Sequence, residues 1–129
     1  MKGLVIIAIS ASLLVACKAT TDLPVSREVL ELNVGADELV CHVKAISNAQ
    51  RLSFHYGTSQ QSFGTMATFR LIGEKFEITL VNDQKPFEYD LRAYDMSDDG
   101  SARNRTAEAF SAFKTALTEP PNEECRAKS

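Results

Sequence analysis

The chain has 129 residues, 14 basic and 17 acidic side chains, a formal net charge of −3, seven phenylalanines, no tryptophan and three cysteines. That composition fits one ordinary globular domain and excludes a disordered chain, a collagen-like repeat and a cysteine-dense mini-scaffold. Without a basic excess for a phosphate backbone, nucleic acid is not an expected partner. The odd cysteine count asks which thiol stands apart.

The N-terminus offers an answer. After Met1-Lys2-Gly3, the run from Leu4 to Ala16 is interrupted only by Ser10 and Ser12. It is too short to cross a bilayer, which takes about 20 helical residues, and reads as the core of a signal peptide. It ends in Leu14-Val15-Ala16-Cys17, and residues 1–17 resemble a bacterial lipoprotein precursor, whose lipobox is Leu, a small or aliphatic residue, Ala or Gly, then Cys.

The resemblance implies cleavage before Cys17, a diacylglyceryl group on its thiol and an acyl chain, of the palmitate type, on its new amine. Several chains anchor durably where one binds only marginally. Lys18 stands where Asp would signal inner-membrane retention in enteric bacteria, so the implied location is the outer membrane, on its periplasmic face. Removing residues 1–16, Lys2 among them, leaves 113 residues and a net charge of −4. In the oxidising periplasm the other two cysteines, Cys41 and Cys125, form the expected disulfide, fastening the tail beyond Pro120-Pro121 to the body. Residues 17–26 read as the lipidated end and a short tether, and 27–129 as a single domain.

Within that domain, Glu28 to Val34 is an expected strand with Leu30, Leu32 and Val34 on one side. Residues 37–47 read two ways. Period two puts Cys41, Val43 and Ala45 on one face; period 3.6 puts Leu39, Val40, Val43 and Ile46 in a stripe behind an acidic first turn. The strand is preferred for its valines and isoleucine. Arg51 to Tyr56 alternates as a strand ending at Gly57, and Thr58 to Thr65 reads as a polar loop carrying Gln60, Gln61 and Phe63. Gly73-Glu74 suits a two-residue hairpin turn pairing Leu71 with Phe76, Phe69 with Ile78 and Arg70 with Glu77. Phe87 to Ala93 adds another strand. Arg103 to Thr118 is a helix with Thr106, Phe110, Phe113 and Leu117 in its stripe, ended by Pro120-Pro121. The expected fold is α+β: an antiparallel meander of about four to five strands packed against one C-terminal helix.

Candidates for chemistry are few. On the strand reading His42 and His55 face each other and could begin a metal site, but a closed zinc site needs a full tetrahedral set and the chain has two histidines. Asp95, Ser97 and Asp99, followed by Gly100, match the opening of a calcium loop, but Thr106 occupies the place of its bidentate Glu. No Gly-x-Ser-x-Gly elbow and no phosphate-cradling glycine loop occurs, and no cofactor is implied. The expectation is a non-catalytic, outer-membrane-anchored module that binds a protein partner, as an inhibitor or an assembly component, using Gln60, Gln61, Phe63, His42 and His55. A small envelope hydrolase and a calcium module are the alternatives.

Overall fold

The computed structural model describes residues 23–62, 64–82 and 85–126; Cys17, Lys18 and Phe63 lie outside the described residues. The chain runs β1 (Ser26–Glu31), α1 (Ala36–Ala49), β2 (Ser53–Gln61), β3 (Gly64–Gly73), β4 (Phe76–Asn82), β5 (Glu88–Asp95), α2 (Arg103–Thr118) and α3 (Glu123–Arg126). The strands form one antiparallel sheet in the order β1-β5-β4-β3-β2. The α+β class and the meander are therefore as the sequence predicts, and so is α2, residue for residue.

The sheet has one apolar face because its strands alternate. Phe69, Leu71, Ile78, Leu80, Leu91 and Ala93 point inward and are buried. α2 lies over β4 and β5, with Thr106, Phe110, Phe113 and Leu117 buried beneath it. From β1 and the residue following it, Leu30 and Leu32 join this core, with Val34 packed against it.

The segment preferred as a strand, 37–47, is the helix α1. Its buried residues Leu39, His42, Val43 and Ile46 recur at helical spacing, and Asp37 and Glu38 occupy the first turn, where the helix dipole favours negative charge. A helix lets this one stripe close the sheet face over β2 and touch α2, whereas the valines' strand propensity is a weaker local preference. The helix ends in a Schellman motif: Leu52 N–H donates to the Ser47 carbonyl at 2.8 Å and Arg51 N–H to that of Asn48 at 3.3 Å, with Arg51 left-handed at φ 60°. Glycine usually fills that place, and its absence hid the stop signal.

The β3–β4 turn differs from expectation by one residue. The central pair is Glu74-Lys75, with Lys75 at φ 66°, and Gly73 pairs with Phe76. The register moves by two, to Leu71–Ile78 and Phe69–Leu80, so every side chain keeps its face. Gly73 is needed for packing: a Cβ there would lie 2.2 Å from Cζ of Phe76, whose ring covers it. Arg70 and Glu77, now diagonal neighbours on the outer face, still pair at 2.8 Å.

The expected disulfide is present. Cys41 of α1 joins buried Cys125 of α3 with a Cα–Cα distance of 5.5 Å. Pro120 and Pro121 stop α2 and redirect the chain across α1, and Asn122 Oδ1 accepts from Cys125 N–H at 3.0 Å to seat the crossing.

Candidate functional site

The residues expected to form a loop at 58–65 continue the sheet instead. β2 runs to Gln61, which pairs with Gly64, so Gln60 and Gln61 sit on strand at the tip of a long β2–β3 hairpin. No apolar alternation marks this part of β2 because both of its faces meet solvent beyond the helices. Gln60 Nε2 donates to Thr65 Oγ1 at 3.1 Å across the hairpin, and Gln61 Nε2 to Ser59 Oγ at 3.0 Å along it.

The two histidines do not meet. His55 is exposed on the outer sheet face opposite Arg70, while His42 is buried in α1. His42 Nε2 lies 3.3 Å from the Leu117 carbonyl, which can only accept, so this nitrogen carries the proton and satisfies an otherwise orphaned C=O in the last turn of α2. The paired-histidine site is thereby overturned: with residues 37–47 helical, the facing register does not exist.

The acidic turn after β5 is occupied by its own hydrogen bonds. Asp95 Oδ1 accepts from the Ser97 N–H at 2.8 Å and hydroxyl at 2.5 Å; Ser97 Oγ accepts in turn from the N–H of Ala102, the N-cap residue of α2, at 3.2 Å, tying the turn to the start of the helix. Asp99 accepts from Ser101 N–H at 3.0 Å, and hydrogen bonds from Ser101 hold its carboxyl below the ordinary range. Gly100, at φ 77°, makes the bend. Asp95, Ser97 and Asp99 thus launch α2, and among the described residues no cluster of three or more His, Cys, Asp or Glu is placed to hold a metal ion.

The outer sheet face carries a charge network. Asp90 receives Arg27 at 3.0 Å and Arg92 at 2.9 Å, beside a depression of about 330 Å³ lined by Met66, Thr79, Val81 and Tyr94 as well. Partial burial pushes the Asp90 carboxyl up, but the hydrogen bonds from Arg27 and Arg92 outweigh it and hold the group below the usual range. Its contribution to stability is present at neutral pH and lost as pH falls below about 4. Asp90→Asn is therefore expected to cost at most about 1 kcal/mol at pH 7, since both guanidinium groups are well exposed, with the difference from wild type narrowing in acid; unfolding midpoints across pH check this.

The larger opening lies on the helical side. A groove of about 730 Å³ runs between α1, β2 and the tail, lined by Val40, Cys41, Lys44, Ala45, Tyr56 and Cys125, with Asp37, Asn48, Asn122 and Glu124 also contributing. Tyr56 stacks on buried Phe69 with centroids 4.7 Å apart and leaves 40% of its surface exposed to the groove. Beside it runs the outer edge of β2, the last strand of the sheet, which pairs with no other strand among the described residues. About half of its nine residues direct N–H and C=O groups to that edge. The sequence reading missed this arrangement, since strand 53–61 and helix 36–49 had first to be placed side by side.

Among the described residues no helix is long and apolar enough to cross a membrane. No known protein family, curated protein or solved structure matches this chain.

Proposed function

We propose that this protein is a lipoprotein held at the periplasmic face of the outer membrane through Cys17, where its domain binds another protein without catalysing a reaction. The observation that carries the binding role is the edge of β2. Natural sheets blunt their edges with Lys, Pro, bulges or short strands. β2 has nine residues, Ser-Phe-His-Tyr-Gly-Thr-Ser-Gln-Gln, without Lys, Arg, Asp, Glu or Pro, and its pairing with β3 runs unbroken from Ser53 to Gln61. An unguarded edge beside a groove supports recognition of a partner strand. The short tether keeps this edge near the membrane, which favours a partner in or on the envelope.

Two measurements test this reading. Cys17→Ala should move the protein from the outer-membrane fraction to the soluble periplasm or leave it uncleaved; a variant that still fractionates with the outer membrane removes the lipid anchor. A photo-crosslinking residue at exposed Ser59 of the full chain in cells should capture a defined protein, while one at exposed Glu108 of α2 should not. Equal capture at both positions, or none at Ser59, sinks the β2 binding role.

A further inference from the structure

Resting on that reading, we infer that the partner adds an extended segment to β2 and places an aromatic side chain over Gly57. Glycine weakens a strand interior, so a glycine at the centre of β2 calls for a reason. Three usual reasons are missing. Its φ is not in the left-handed region, the register shows no bulge at the Gly57–Thr68 pair, and a Cβ built there would meet no atom within 4 Å. Among the described residues nothing fills this place, and what remains is close approach by an added segment.

The molecule carries the filled version of this device. At Gly73, the ring of the cross-strand residue Phe76 lies over the glycine and occupies the space of a side chain. Aromatic cover of a strand glycine of this kind also helps pin register. Gly57 has Thr68 as its partner on β3 and an open edge on the other side. An added strand with an aromatic residue opposite Gly57 would reproduce the Gly73–Phe76 arrangement.

Alternation then sets the rest of the ligand. Gly57 belongs to the outer sheet face, so the residues flanking the aromatic point inward, toward Tyr56 and Val40, and are apolar. The charged residues lining the groove are Asp37, Glu124 and Lys44, an acidic excess, so the next inward positions are basic. A second copy of β2 brings apolar inward residues in Phe54 and Tyr56 but lacks both the phenyl or indole ring on its outer face, where it has Ser53, His55, Gly57, Ser59 and Gln61, and any Lys or Arg for the acidic lining.

The probe is the labelled peptide acetyl-Lys-Thr-Val-Phe-Val-Thr-Lys-amide, whose palindromic order serves either strand direction, titrated by fluorescence anisotropy against the full chain. It is expected to bind, and replacing its Phe by Ala should weaken binding at least tenfold. Gly57→Val, which meets open space and should leave the thermal midpoint within a few degrees, should erase that difference. No peptide binding, equal binding of the Phe and Ala peptides, or discrimination that survives Gly57→Val each overturns the inference, as does a dimer in sedimentation that Gly57→Val disperses. Crosslinking at Ser59 alongside any of these failures leaves partner binding standing and removes the aromatic strand; loss of both removes the two together.

Discussion

Replacing Phe113 with Ala is expected to lower the unfolding free energy by about 3–5 kcal/mol, with the denaturant midpoint falling and its slope unchanged. Phe113 is 0% exposed and is one of the two largest fully buried side chains, the other being Phe69. It is held on the α2 face that covers β4 and β5, where backbone and sheet leave little freedom to collapse into the space its ring vacates. A small domain has about 5–15 kcal/mol of stability in total, so this one change consumes a large part of it. Thr118→Ala at the exposed end of the same helix, which loses only hydrogen bonds to the Lys114 and Thr115 carbonyls, is the control and should shift stability by less than about 1 kcal/mol. Similar losses for the two variants would mean that α2 is not clamped to the sheet through its phenylalanines.

Removing the disulfide should have an effect of the same size by a different route. Cys41 and Cys125 are 84 residues apart, and tying such a loop restricts the unfolded chain by about 4–5 kcal/mol on loop-entropy grounds. Combining Cys41→Ser with Cys125→Ser is expected to cost about 3–5 kcal/mol. Reductant should destabilise the wild type by a comparable amount and leave the double variant unaffected, which denaturant melts with and without reductant will show. The consequences extend to the groove. The bridge forms part of its wall and holds α3 against α1, so limited proteolysis should cut at 119–126 in the double variant before the core yields. A double variant that melts with the wild type and resists such cleavage would show that the tail is held by its prolines and Asn122 alone.

The parts that were legible in the sequence are those where one signal dominates. α2 has a four-residue apolar stripe, no glycine or proline inside it, and a double proline at its end, so pattern and punctuation agree. β3, β4 and β5 alternate cleanly because one face is buried and the other wet. Cys41 and Cys125 were paired by compartment and by elimination. Where reading failed, a residue was serving a purpose other than its usual one. Gly73 looks like a turn glycine but makes room for the Phe76 ring, and Lys75 takes the left-handed position in its place. Arg51 ends α1 in a conformation that normally announces itself through glycine. In α1 the period-3.6 and period-2 patterns coexist, and only the presence of a sheet face needing cover over β2 decides between them.

The candidate site shows the same division. Gln60 and Gln61 read as polar loop residues in the sequence, because a strand with solvent on both faces has no hydrophobic period to reveal it. His42 was drawn into a pair by a register that the helix removes. By itself, the sequence determined the fold class, the C-terminal helix, the three-strand meander and the disulfide, since each follows from local periodicity or from cysteine count. Tertiary structure alone decided that residues 36–49 are helical, that among the described residues β2 is an edge strand with no further partner, that a groove lies between the two, and that no described atom approaches the place of a Cβ at Gly57. These are relations between segments distant in the chain, set by which apolar faces must be buried against each other, and no local pattern encodes them.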